Sequence, residues 1–444
     1  MNYHQALDYL LGFTDFERSG GFTPRPDVAP VRALLRDLGD PQRGRLTVHV
    51  AGSKGKGSTA AMIASILREC GPTVGLYTSP HLHHTCERIR LDGEPISEAS
   101  FARLATALPP SIDAARREMP ERMLVTFDLL TAMAFLASRE ADADVQVLET
   151  GLGGRVDSTN AIESKEVCVI TSISLEHQQV LGETLPQIAA EKAGIITAGA
   201  RVVMAAQDDS VAEVVRRVSK ERDARLVEAG IACQFERRCH GVEGQEVKLR
   251  TSGGEYELWL PLLGTHQVDN AVAAVLAVEA LREHGINASK EQVRAGLANV
   301  RWPGRLEVLG RRPLLVADGA HNAESARRLR ETLTNDLGFS GVTFVVGLSR
   351  DKDMAGIEHE LRPIARKLIA TRSRHPRALE AESVATAFSQ NGVSARPVAP
   401  VSKAVDLALA GAASDELVCV VGSLFVAAEA RAHVLGIEHE VVAG

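Results

Sequence analysis

The stretch His49-Val-Ala-Gly-Ser-Lys-Gly-Lys-Gly-Ser-Thr59, HVAGSKGKGST, decides how the rest of the chain is read. It closes a β-branched run, LTVHVAG at 46–52, and opens into GSTAAMIASILREC, whose apolar residues recur at helical spacing. The pattern is strand, glycine-rich loop, helix. Backbone N–H groups in such a loop, at a helix N-terminus, cradle phosphate oxygens. A lysine reaches the outer phosphates and a following hydroxyl suits Mg²⁺.

The spacing here is Gly52-x-x-Gly55-Lys56-Gly57-Ser58, two residues shorter than the common phosphate-loop pattern. Gly52, Ser53, Lys54, Gly55, Lys56, Gly57, Ser58 and Thr59 are therefore the candidate nucleotide contacts. Lys56 precedes the helix and takes the phosphate-binding position, with Ser58 as the metal hydroxyl. Lys54 sits at the apex, where it either adds positive charge near the phosphates or points to water. A plain glycine-rich turn with exposed lysines is the competing reading, and the strand before and helix after favour a nucleotide.

The chain has 444 residues, more than one comfortable core, so two or three domains are expected. It is 45% hydrophobic and 24% charged, with a formal net charge of -7. That balance argues against nucleic acid or an anionic membrane as the main partner, so any anion needs a local site. Aromatic residues at 4% also weaken a base-stacking role. The six cysteines form no CxxC pair and read as small buried hydrophobes of a reducing compartment. The first twenty residues contain acids and lack a basic start with an apolar stretch, so they do not resemble a signal peptide. No run reaches the roughly 20 apolar residues of a membrane helix. A cytoplasmic enzyme is the expectation.

Strands and helices alternate from the phosphate loop onward. TVGLYTSPH is a strand with a turn, VTFDLLTAMAFLASREA a helix, ADVQVLETGLGG a buried strand with a glycine-rich end, and EVCVITSISLEH another strand. This alternation predicts an α/β protein with a mostly parallel sheet covered on both faces. Ligands gather beyond the carboxyl ends of such strands, where Lys56, Ser79, Glu149 and His177 all fall. Residues 230–260 alternate and predict a small β-rich attachment. HQVDNAVAAVLAVEALREHG predicts a long helix, and Pro303-Gly304 marks a linker at 300–309. PLLVADGAHN, VTFVVGLS, KLIATRS and ELVCVVGSLF then predict a smaller, Rossmann-like α/β domain. The domains are expected at 1–300 and 301–444.

With these stretches in place the chain resembles the folylpolyglutamate synthase/dihydrofolate synthase family of Mur-type, ATP-dependent amide ligases. HVAGSKGKGST, GLYTSPHL with ERIRLDGEPIS, VLETGLGGRVDSTN, LEHQQVLGETLPQIAAEKAGII, GTHQVDNAVAA, WPGRLEV, DGAHN, GLSRDKD and VVGSLF lie in the family's order from about residue 38 to 430. The resemblance implies Mg-ATP bound in the first domain. It implies phosphorylation of a folate or dihydropteroate carboxylate to an acyl phosphate, and attack by the amine of L-glutamate. Such chemistry is mostly positioning and charge neutralisation.

The resemblance also implies roles. Ser58, Glu149 and His177 are the magnesium residues. Lys192 falls where the family often carries a carbamylated lysine that joins a metal site, an ordinary pair with Glu191 being the alternative. Asn270 and Arg305 face the ATP base and phosphates, and Asp318 and His321 reach ATP from the second domain. Ser79, His81, Asp157 and Ser423 are substrate candidates, with Asp351, Lys352 and Asp353 near the glutamate side. The cluster His81, His83, His84, Cys86 and Glu87 fits no closed zinc spacing. A monomer is expected.

Some positions depart from the family pattern. Ser53-Lys54 replaces Thr-Asn, and the Glu176-His177 pair replaces Asp-His; both keep donors and charge. Thr-Phe-Asp at 126–128 replaces Thr-Phe-Glu, and HHTCERI lacks the usual Phe-Asn. These last two touch the acceptor side, so dihydropteroate and folates already carrying glutamate both stay open. The rival functions are a Mur-type ligase acting on another pterin or a cell-wall carboxylate, and a nucleotide-binding module without ligation.

Overall fold

The computed structural model describes residues 1–19 and 27–440. Among them the strands form three sheets. The first has eight strands: β1 (Leu46–Ala51), β2 (Val74–Tyr77), β3 (Ile89–Leu91), β4 (Glu94–Pro95), β5 (Val145–Glu149), β6 (Val167–Ile170), β7 (Arg201–Met204) and β8 (Arg225–Glu228). Their order is β4-β3-β2-β5-β1-β6-β7-β8. β2, β5, β1, β6, β7 and β8 run parallel, and β3 and β4 turn back at one edge. β5, β2 and β6 are buried along their whole length, and β2 and β6 read as continuous apolar runs rather than alternating ones.

The register matters for the site. Val50 pairs with Glu149 and Ala51 with Ile170. The loops leaving β1, β5 and β6 therefore start level with one another.

Helix Lys56–Glu69 is buried from Gly57 to Leu67. It lies between the sheet and helices Thr265–Ala280 and Lys290–Ala298, and its Ser65 hydroxyl donates to the Gly296 carbonyl at 2.6 Å. Small residues at Ala60, Ala61, Ala64, Ala273, Ala274 and Ala277 let these backbones approach closely. On the opposite face, helices Tyr3–Leu11, Ala29–Asp37, Glu98–Ala107 and Thr126–Glu140 cover the sheet with Leu34, Phe101, Phe135 and their neighbours. Each large side chain fully buried in this way contributes about 1.5–3 kcal/mol.

The attachment is an antiparallel meander of β9 (Gln234–Gly241), β10 (Gly244–Thr251) and β11 (Gly254–Leu260). Val247, Leu249, Tyr256 and Leu258 point into the core while Glu246 and Glu257 face water, the period of two that the sequence carries.

The second large sheet orders β12 (Glu307–Arg311), β13 (Leu314–Ala317), β17 (Leu417–Val421), β14 (Val342–Val346), β15 (Ala365–Ala370) and β16 (Ala395–Pro397) as β12-β13-β17-β14-β15-β16. β12 is antiparallel to β13 and the rest are parallel. β12 takes up 307–309 of the expected linker, because pairing with β13 satisfies backbone groups that a loop would leave to water.

Candidate active site

The phosphate loop is built by backbone geometry. Gly55 has φ 88°, a left-handed conformation that glycine adopts without strain, and a Cβ there would collide with the Asn270 amide. Thr59 N–H donates to the Gly55 carbonyl at 2.8 Å, the first helical hydrogen bond. The N–H groups of Gly55, Lys56, Gly57 and Ser58 precede it and lack an intrahelical acceptor, so they are the ones free for an anion. Ser53 and Lys54 N–H both donate to the Ser172 carbonyl, at 2.9 and 3.0 Å. The cradle is thus shorter than the sequence suggested. Ser53, Lys54 and Thr59 have their N–H groups committed inside the protein, and Gly52 contributes a carbonyl that accepts from Lys192 Nζ at 2.7 Å.

The two loop lysines have separate fates. Lys54 neither points to water nor stands free beside the phosphates. Its ammonium pairs with Glu176 at 3.3 Å, and both side chains are largely buried. Among the described residues Lys56 has no ion-pair partner, and it lines the cleft. Of the two loop lysines, Lys56 is the one whose charge is left open to the cleft.

Lys192 is buried to 1% exposure, with Nζ 2.9 Å from Glu176 Oε1. The alternative pairing with Glu191 is excluded, since Glu191 binds Arg155 at 3.0 Å. Burial, only partly offset by Glu176, pushes the Lys192 ammonium down to about 8. Burial alone would raise the Glu176 carboxyl, but Lys192, Lys56 and Lys54 outweigh it and hold it well below the usual carboxylate range. As an ammonium, Lys192 has no lone pair for a metal; here it organises the loop.

Glu149 ends β5 and is buried, accepting the Ser79 N–H at 3.1 Å. Burial raises its carboxyl pKa, with Lys56 acting against it. A carboxylate in this position is costly without a cation nearby. His177 sits at φ 46° at the end of the loop after β6, and burial lowers its pKa to about 4, so the imidazole is neutral. A neutral imidazole, a buried carboxylate and the Ser58 hydroxyl beside unpaired backbone N–H groups form a donor set that fits a phosphate-bound divalent cation.

The second lobe completes the cleft. Asp318 follows β13 and accepts the N–H groups of Leu306 and Ala320, each at 2.7 Å. Burial raises its carboxyl pKa, and Arg305 opposes this. His321 donates Nδ1–H to the Gly319 carbonyl at 2.8 Å, leaving Nε2 as an acceptor, and burial lowers its pKa to about 3. Asn270 Nδ2 donates to Gln267 at 3.0 Å. Arg328 crosses between lobes to the Ser172 hydroxyl at 3.1 Å. Lys56, Ser58, Ser79, Glu149, His177, Lys192, Asn270, Arg305, Asp318 and His321 line one cleft with about 1260 Å³ of empty space.

A second cavity of about 940 Å³ adjoins it, and Pro80 lines both. Leu7, Leu10, Leu82, Leu130 and Phe425 form its apolar wall. Arg88 is buried there, paired with Glu17 and donating Nε–H to His81 Nδ1 at 2.9 Å. His81 lies in this cavity and not in the first one. Asp157 lines neither. It is buried and accepts the N–H groups of Leu152 and Thr159 at 2.9 and 3.1 Å, shaping the loop after β5. Ser423 caps helix Leu424–Leu435 by accepting from Val426 N–H at 3.1 Å. Asp353 caps Met354–Leu361 likewise, and Asp351 pairs with Lys352 at 2.8 Å. The pairing of Glu176 with Lys54 and Lys192, and the Arg88 cavity, were not foreseen from the sequence. The acid directly before His177 was the available signal for the first; the second gathers residues from both ends of the chain and had none.

Two lobes closing over a phosphate loop define a Mur-type ligase. Residues 50–278 match the Mur ligase middle domain and residues 304–424 the Mur ligase, glutamate ligase domain. The chain is 34% identical over 415 residues to the dihydrofolate synthase/folylpolyglutamate synthase of Bacillus subtilis, covering 92% of this chain and 95% of that one. A Mycobacterium tuberculosis folylpolyglutamate synthase structure, complexed with ADP and AMPPCP, superimposes with a TM-score of 0.89 at 34% identity, covering 98% and 99% of the two chains. The chain belongs to the folylpolyglutamate synthase/dihydrofolate synthase family. It is also 35% identical over 438 residues to a Haloferax volcanii protein named "Probable bifunctional folylpolyglutamate synthase/dihydropteroate synthase", covering 97% of this chain but spanning only 50% of that protein's length.

Proposed function

We propose that the chain is an ATP-dependent ligase that forms an amide between the carboxylate of a folate or dihydropteroate and the amine of L-glutamate. The observation that carries this reading is the convergence of Lys56 and Glu149 from one lobe with Arg305, Asp318 and His321 around a single cleft. In the reaction, a carboxylate oxygen of the acceptor attacks the γ-phosphorus of ATP and ADP leaves. The glutamate amine then attacks the acyl carbon, loses a proton, and phosphate departs with that carboxylate oxygen. Lys56 and Arg305 neutralise charge that spreads over the transferring phosphoryl group.

Mg²⁺ held through Ser58, Glu149 and His177 would supply further neutralisation of the triphosphate. The neutral Nε2 of His321 is an acceptor placed on the second-lobe side of the cleft. Carbamylation of Lys192 would require its ammonium to leave Glu176 and Gly52, so the pair in this structure describes the unmodified lysine.

The second cavity fits the remaining substrate parts. Its apolar wall suits an aromatic or aliphatic portion, while the Arg88 guanidinium is already engaged by Glu17 and His81. Ser79 lines the phosphate cleft and His81 the second cavity, with Pro80 between them lining both. The proposed domains 1–300 and 301–444 both contribute residues to the site, and we further propose a cytoplasmic monomer on the family resemblance. Among the described residues no helix is long and apolar enough to cross a membrane.

The test is phosphate release with ATP and magnesium, adding pterin acceptor and glutamate separately and together. Release that needs both supports the ligase. Release with neither, or nucleotide binding without turnover under any acceptor, contradicts it.

A further inference from the structure

The loop that leaves β2 joins the two cavities. Ser79 lines the phosphate cleft, where its N–H donates to Glu149 at 3.1 Å. Pro80 lines both cavities, and Leu82 and Thr85 line the second. A substrate reaching from the second cavity to the phosphate cleft passes this loop, so the loop's position sets where the reacting carboxylate falls.

The second lobe grips the loop. Helix Leu424–Leu435 stops at Gly436, and residues 436–440 run back to the first lobe. Glu440 N–H donates to the His83 carbonyl at 3.0 Å, and the Glu440 carboxylate accepts the Thr85 N–H and hydroxyl at 2.9 and 2.8 Å. Arg431, on the helix before this segment, donates Nη1–H to His83 Nε2 at 2.9 Å and Nε–H to Glu307 at 2.9 Å. A guanidinium only donates, so His83 Nε2 is the acceptor and the neutral ring carries its hydrogen on Nδ1, which faces His439 Nδ1 at 3.2 Å. His83 is thus held from the second lobe at both ring nitrogens and at its carbonyl.

We propose that Arg431 and Glu440 are positioning residues for the acceptor: with His439 they strap the loop at 80–85 to the second lobe and so fix the passage between the two cavities. The inference rests on the ligase reading. His439 and Glu440 also line the second cavity, and neither they nor Arg431 line the phosphate cleft. The strap therefore acts on the acceptor and leaves the nucleotide alone. A contact that only stabilised the fold would lower the unfolding midpoint and leave the acceptor KM of the folded enzyme as it was.

The experiment compares Arg431→Met and Glu440→Ala with wild type. Initial rates are measured with dihydropteroate and with a folate as acceptor, and ADP binding by calorimetry. Amide exchange is followed at Leu82 and His84, whose N–H groups go to Glu87 and not to the strap. The strap predicts that each variant raises the acceptor KM about tenfold, keeps ADP affinity within about twofold of wild type, and exchanges faster at both amides. Glu440→Gln, which keeps an acceptor oxygen for Thr85, should recover part of the loss. If Arg431→Met does not fold, Glu440→Ala decides alone. An unchanged acceptor KM in Glu440→Ala, unchanged exchange, or a loss of ADP affinity as large as the acceptor effect overturns the strap. A wild-type chain that turns over neither acceptor overturns the ligase reading instead, and exchange at Leu82 and His84 then tests the strap by itself.

Discussion

Asp318 accepts the backbone N–H of Leu306 at 2.7 Å, and Leu306 stands at φ 44°. The carboxylate thereby holds the turn that carries Arg305 into the cleft. Asp318→Ala removes the acceptor from two backbone amides, those of Leu306 and Ala320. We expect kcat/KM to fall at least about 100-fold, a loss of the size seen when a preorganised electrostatic contact is removed. Stability should fall by about 1–3 kcal/mol, the cost of orphaned donors. Steady-state kinetics and urea unfolding measure the two effects.

Lys56 differs from Lys54 in having its charge free. Lys56→Met should lower kcat about 100-fold or more, because the phosphoryl group loses its nearest uncommitted cation. The phosphate loop itself should stay folded, since Lys56 takes no part in the pairing of Glu176 with Lys54 and Lys192. Amide exchange at Ser53 should therefore remain at the wild-type rate in this variant.

The chain crosses back from the second lobe to the first near residue 440. Glu440 accepts from the Tyr3 hydroxyl at 2.6 Å and from the Thr85 N–H and hydroxyl at 2.9 and 2.8 Å, while its own N–H donates to the His83 carbonyl at 3.0 Å. Glu440→Ala should cost about 1.5–3 kcal/mol, the range for hydrogen bonds to a charged group. Urea unfolding monitored in each lobe should show the loss.

Burial lowers several histidines, among them His266 and His321, pushed down to about 3, and His83, His177 and His375, pushed down to about 4. In the unfolded chain each binds a proton near its ordinary value of about 6.5. Between those values the unfolded state binds more protons, so this contribution to stability is complete above about 6.5 and is lost as pH falls toward 4. The urea midpoint should drop between pH 7 and 5. His266→Asn should show a shallower decline, and an identical slope in the two proteins would refute the assignment.

The parts of the fold that were legible in the sequence are those fixed by local chemistry. β2 and β6 are buried along their whole length and read as unbroken apolar runs, and Gly55 stands at a φ that glycine adopts without strain. The residues around the phosphate cleft follow strand ends, where the parallel sheet collects them. Illegible features depend on distant partners. β12 is a strand only because β13 pairs with it, and Leu306 needs Asp318 to hold its turn. Lys54 looked free because Glu176 is 122 residues away in sequence. The cavity around Arg88 draws on Leu7, His81, Phe425 and Glu440, and no local pattern links them.

The central claim is that the carboxylate of the acceptor is phosphorylated before the amide forms. The direct measurement uses an acceptor whose reacting carboxylate carries ¹⁸O, with ATP, magnesium and glutamate, and mass analysis of the phosphate released. Carboxylate activation predicts one ¹⁸O atom in each phosphate formed with product. Amide product accompanied by phosphate free of ¹⁸O would contradict it.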